Sequence, residues 1–170
     1  MKTRVMLFIV ILSAEILTAG NFAQNFLPLW ERATNYTLEV VEAMPAKNYD
    51  YKATDEVGSF AGLSGHIAGN IFWLTSRIIK DEDNPIDRVE WTELSREEII
   101  SYLKQAFNYV AGTVKDFDEE KLNDTVEFGG EMVNKERIFY LMRDHMTHHR
   151  AQLIVYLRLN NIEPPRYVGW

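Results

Sequence analysis

The chemistry available to this chain rests on four histidines and on the absence of cysteine. Ile138, Met142, His145, His149, Gln152, Tyr156 and Leu159 recur at alternating steps of four and three, the spacing of a single stripe along a helix. His145 and His149 stand one turn apart on that stripe, with Cβ atoms about 6 Å apart. Two imidazoles at that spacing can converge on one metal ion at about 2.0–2.1 Å. An earlier helical stretch puts His66 on its own apolar stripe between Leu63 and Asn70. In a helical bundle, facing helices can bring the three rings together, and three nitrogen donors with a position left open describe a catalytic type of site. Asn70 and Gln152, polar residues on apolar stripes, are candidates to orient the rings from behind, and His148 reads as a flank of the same cluster. Two readings stay open at this point: metal ligands, or histidines hydrogen-bonded in a core, where burying two imidazoles without partners is costly.

Other chemistries lack their residues. Without cysteine there are no disulfides, thiolate nucleophiles, iron–sulfur clusters or cysteine-based zinc sites. Met146 follows His145, so the glutamate of a His-Glu-x-x-His metalloprotease is missing. The residues three before the four histidines are Leu63, Met142, His145 and Met146, which removes the Glu-x-x-His pairs of ferritin-like di-iron proteins. No Walker loop or Gly-x-Gly-x-x-Gly occurs. Eighteen basic against 25 acidic residues leave a net charge of −7 with no basic cluster, which argues against nucleic acid as a partner.

The elements that must position these residues are helices. At 170 residues, with 46% hydrophobic and 25% charged residues, the chain has the size and composition of one globular domain. Residues 1–23 read as a secretory signal peptide: Lys2 and Arg4, an apolar run from Val5 to Ala14, then Thr18, Ala19 and Gly20, with cleavage after Gly20 or Ala23. The alternative is an extra buried helix. The first reading makes 24–170 the domain, exported to a periplasmic or extracellular location and without stable membrane insertion; the second leaves it cytoplasmic.

Apolar residues from Phe26 to Met44 follow helical periodicity, and Pro45 ends that helix. A second helix is expected from about Ser59 to Ile79, with Leu63, His66, Ile67, Asn70, Ile71, Leu74 and Ile78 facing inward, before a loop at Asp81–Pro85. Ser95 and Glu98 form a capping box ahead of a third stripe from Ile99 to Phe117. Gly129 and Gly130 sit between short β-prone pieces, a small hairpin or a plain loop. Asn134 caps a fourth helix reaching Asn160, and Pro164-Pro165 begin an extended tail whose Tyr167–Trp170 end could close a pocket or dock on a partner. Trp30, Trp73, Trp91 and Trp170 suggest an aromatic-rich interior. The expectation is an all-α antiparallel four-helix bundle.

The string His145-Met-Thr-His148-His149-Arg150-Ala151-Gln152-Leu153, accompanied by His66 and the ending Pro164-Pro165-Arg166-Tyr167-Val168-Gly169-Trp170, resembles the DinB family of damage-inducible bundle proteins over nearly everything from Asn25 onward. The family typically has glycine where Ala151 stands, a small-for-small difference. The resemblance implies up-down-down-up topology, a homodimer, and one divalent transition metal ion (zinc, nickel, manganese or iron) on His66, His145 and His149. It also implies a metal-dependent thiol transferase or hydrolase acting on a small molecule. The alternative is a non-catalytic helical scaffold or binding module in which the metal is structural.

Overall fold

A computed structural model of the protein describes residues 21–86 and 88–168. Residues 1–20 of the signal-peptide reading, and Gly169 and Trp170 of the tail, lie outside the described residues. Four long helices carry the structure: α1 (Phe22–Ala43), α2 (Phe60–Trp73, running on as a π-helical stretch Leu74–Lys80), α3 (Arg96–Asp116) and α4 (Lys135–Leu159). Each begins at a side-chain cap. Asn21, Ser59, Ser95 and Asn134 accept from the backbone N–H of Gln24, Gly62, Glu98 and Arg137, and Glu98 returns the bond by accepting from Ser95 N–H at 2.8 Å.

The helix directions follow from which residues touch. Arg96, at the start of α3, donates to the carbonyls of Glu42 and Met44 at the end of α1, while Trp30 Nε1, early in α1, donates to Phe107 O (3.1 Å) in the second half of α3. These two helices are therefore antiparallel. Phe22 and Phe26 pack on Phe139 near the start of α4, and Asn48 just past α1 bonds Asn160 just past α4, so α1 and α4 run parallel. Phe60 meets Tyr156 while Thr75 meets Met142, so α2 opposes α4. The bundle is thus up-down-down-up, with the spatial ring α1–α3–α2–α4. Its core is aliphatic and aromatic, with a Phe22–Phe26–Trp30 stack along α1 at one end (centroids 5.1 and 5.8 Å apart).

Several local expectations shift. The first helix starts at Phe22 rather than Phe26, with Pro28 inside it, because the Asn21 cap and the burial of Phe22 outweigh the amide hydrogen bond that proline removes. The last turns of α2 widen into a π-helix, where Thr75 and Ser76 donate back to the carbonyls of Ile71 and Phe72. That extra residue in the turn rotates the stripe, so Ile79 is buried in place of the expected Ile78, which is half-buried. Gly129 (φ 62°) and Gly130 (φ 85°) make the turn of a two-residue hairpin between β1 (Thr125–Phe128) and β2 (Glu131–Asn134), a conformation that favours glycine at both positions. Of the tryptophans, Trp30 is interior, but Trp73 is 39% exposed and lies against Phe128 on the surface. Among the described residues no helix is long and apolar enough to cross a membrane.

The link from α2 to α3 must travel the length of the bundle, because those two helices are parallel neighbours. Trp91 anchors it. Its ring lies on α2 where Gly65 and Gly69 have no side chain, and a Cβ at Gly65 would come within 2.3 Å of Trp91 Cγ. The extended tail lies along the α1–α4 face, with the Tyr167 ring 6.3 Å from that of Tyr36, on a different side of α4 from the histidines.

Candidate metal centre

The three histidines picked out by spacing meet between α2 and α4. His66 Nε2 lies 3.2 Å from His145 Nε2, which lies 3.1 Å from His149 Nε2, and the donor atoms of all three fall within 4.8 Å of one another. Two imidazole nitrogens each about 2.0–2.1 Å from one ion, at about 100° to each other, are separated by about 3.1–3.2 Å. The spacing of the rings therefore fits a single ion on one face. His145 and His149 reach the point from successive turns of α4, and His66 closes the set from the antiparallel α2.

The burial of this group differs from the inward placement expected. The core stripe of α4 runs through Ile138, Phe139, Met142, Met146, Arg150, Leu153, Tyr156 and Leu157; of the expected stripe Ile138, Met142 and Tyr156 are buried, whereas His145, His149 and Gln152 lie half-buried at its margin and Leu159 is 53% exposed. On α2 the core takes Phe60, Ser64, Ile67, Ala68 and Ile71, and His66 is exposed beside them. Steps of three and four describe a stripe but not its azimuth; the larger side chains one position away took the interior. The result is a site on the rim of the α2–α4 interface, accessible from solvent.

Electrostatics keep the rings neutral. Burial, with the added repulsion of His149, His66 and His148, depresses His145 to about 4. Burial and the neighbouring His149 lower His66. Burial also lowers His149, against an opposing contribution from Gln152 and with His148 adding to the depression. Unprotonated imidazole is the form that binds metal, so no proton has to be displaced at neutral pH.

The residues expected behind the ligands behave differently from one another. Gln152 Oε1 lies 2.7 Å from His149 Nδ1. An amide oxygen accepts, so Nδ1 carries the proton and Nε2 presents its lone pair to the shared point. Asn70 makes no such contact: its Oδ1 is buried with no hydrogen-bond partner among the described residues, as are His145 Nδ1 and Ser64 Oγ. His148 is exposed, its ring edge-on to His149 at 4.9 Å, and its nitrogens are not part of the converging group.

Two neighbouring features escaped the sequence reading. Arg150, next to His149, is 6% exposed: its guanidinium donates to Ala33 O (3.0 Å), Thr37 Oγ1 (3.2 Å) and Thr147 Oγ1 (3.3 Å) and covers the Tyr36 ring, tying α4 to α1. A cleft of about 300 Å³ opens beside His149 and Gln152, bounded by the loop ahead of α2. A cleft between a loop and two helices leaves no local signal in the sequence.

Comparison with known proteins agrees with this architecture. The model of the DinB family matches residues 18–167. A DinB-like protein from Bacillus cereus superposes with a TM-score of 0.72 at 16% identity, covering 85% of this chain and 97% of that one. A DinB-like protein from Bacillus subtilis gives 0.70 at 22% identity, covering 86% and 99%. A conserved protein from Enterococcus faecalis gives 0.65 at 17% identity, covering 83% and 98%. No curated protein matches the sequence.

Proposed function

Because the chain belongs to the DinB family, and because three neutral imidazoles converge in it, we propose that His66, His145 and His149 hold one divalent transition metal ion for a metal-dependent hydrolysis or thiol transfer. Zinc, nickel and iron suit three imidazoles, and manganese, which favours oxygen donors, is the poorest fit of the four. The observation that carries the reading is the convergence of the three rings, with His145 Nε2 3.2 Å from His66 Nε2 and 3.1 Å from His149 Nε2 and a donor atom of each within 4.8 Å of the others. Such an ion, when bound, supplies Lewis acidity and draws the pKa of a water or thiol toward neutrality. The chain does the rest. Gln152 fixes the tautomer and plane of His149, the turn of α4 sets the distance between His149 and His145, and exposure of His66 leaves an approach for a small substrate. Among the described residues the group has three donors, whereas structural zinc sites usually have four, which favours the catalytic over the purely structural reading. A homodimer, implied by the family, belongs to the same proposal.

Elemental analysis of the untagged protein beside His149→Ala tests the centre. About one ion per chain in the parent, lost in the variant, is the expected result; no metal in either after loading overturns it. A metal-loaded protein inert toward esters, amides and thiols alike would overturn the catalytic half, and a large loss of thermal stability on chelation would support the structural reading instead.

A further inference from the structure

The cleft beside His149 has a composition that speaks to substrate. Its walls are Val57 from the loop ahead of α2, Leu63 from α2 and Val155 and Tyr156 from α4, and no acidic, lysine or arginine side chain lines it. Val57 and Val155 are 37% and 54% exposed. Leu63 lies one turn before His66, and Val155 and Tyr156 lie about two turns beyond His149, so the cleft borders the histidine group at His149. The Tyr156 hydroxyl is already committed, donating to Gly58 O at 2.8 Å, which holds the loop wall against α4. The wall is therefore preformed. Two polar groups border the cleft, His149 and Gln152, and the Gln152 amide NH2 makes no hydrogen bond to the protein among the described residues.

We propose that this cleft is the substrate-side pocket of the histidine centre and that it accepts a short, uncharged aliphatic group carried next to the reacting carbon or sulfur. The inference rests on the function proposed above. Each methylene that leaves water for an apolar wall strengthens binding about fourfold, whereas an ionised tail would lose hydration with no opposite charge to replace it. The free NH2 of Gln152 is a donor for a carbonyl at the mouth.

Calorimetry of the zinc-loaded protein with acetohydroxamate, hexanohydroxamate and 6-aminohexanohydroxamate tests this, with zinc content measured first. The expected result is at least tenfold tighter binding of the hexano than the aceto compound, with the gain lost when the tail carries an amine. Val155→Asp, a change on the surface of α4, is expected to flatten the series. Methyl NMR of the metal-free protein supplies a second readout: hexanamide should shift Val57, Leu63 and Val155 selectively. One zinc per chain with affinity indifferent to tail length, or an unchanged series in Val155→Asp, overturns the pocket and leaves the centre standing. A chain that takes up no zinc overturns the centre; the NMR shifts then decide the pocket, and their absence overturns it too.

Discussion

Acidification of the metal-free protein separates a neutral histidine cluster from an ordinary one. In the folded chain His145 titrates at about 4, depressed from 6.5 mainly by burial, and His66 and His149 are lowered as well. The unfolded chain takes up its proton near 6.5. Between those two values the unfolded state binds more protons, so stability is full above about pH 6.5 and is lost as the pH falls toward 4. One proton is worth about 1.4 kcal/mol per pH unit, which sets a ceiling near 2 kcal/mol for His145 between pH 6.5 and 5. Solvent access to the half-buried ring trims this to about 1–2 kcal/mol. For a domain of this length that lowers the melting midpoint by about 2–8 °C. The assay is thermal unfolding followed by circular dichroism in chelator from pH 7 to 5, for the parent and His145→Asn. Glu98, whose carboxyl is lowered by its bonds to Ser95, acts below its usual 4.5 and stays out of this window. Equal slopes in parent and variant, or a parent more stable at pH 5 than at pH 7, would refute the reasoning.

Three further outcomes follow from the packing. Gln152→Ala should weaken metal binding by about 10–100-fold, as loss of a partner that orients a ligand does, and Gln152→Glu should recover it; chelator competition reads both. Gly65→Ala should cost about 1–3 kcal/mol, because the new methyl meets Trp91 at 2.3 Å. Gly112→Ala in α3, with nothing within 4 Å, should instead stabilise by about 0.5–1 kcal/mol, and denaturant melts distinguish the signs. Arg150→Met should cost about 1–3 kcal/mol by losing the guanidinium's bonds to Ala33 O and Thr37 Oγ1, which still bond each other, and its cover of the Tyr36 ring, with metal content retained in the fraction that folds, because Arg150 faces α1 and not the histidines.

Helix count, caps at Ser95 and Asn134, and the three histidines that converge were all readable in the sequence, since each depends on local spacing or local hydrogen bonding. What was not readable depends on competition between neighbours. Whether His66 or Ile67 turns inward is decided by which side chain fills the space opposite, and Ile67 did. Ile79 replaced Ile78 because Thr75 and Ser76 bend the helix through hydroxyl bonds to their own backbone, an effect no apolar periodicity records. Arg150 read as one letter of a motif, while its burial depends on Ala33, Thr37 and Tyr36 more than a hundred positions earlier.

The ring order α1–α3–α2–α4 also constrains how the molecule can fold. Helices adjacent in sequence sit diagonally opposite at both ends of the chain: α1 is packed by α3 and α4, and α4 by α1 and α2. Neither terminal pair can form the helical hairpin with which simple bundles begin. The contacts that define the structure span 77 residues from Trp30 to Phe107, 79 from His66 to His145 and 117 from Ala33 to Arg150. Loops of that length must close before packing rewards them, so refolding should be slower than in an up-down bundle of equal length. A ribosome-bound chain lacking α4 has an incomplete α2 surface and no histidine cluster; assembly of the centre therefore coincides with the last step of folding.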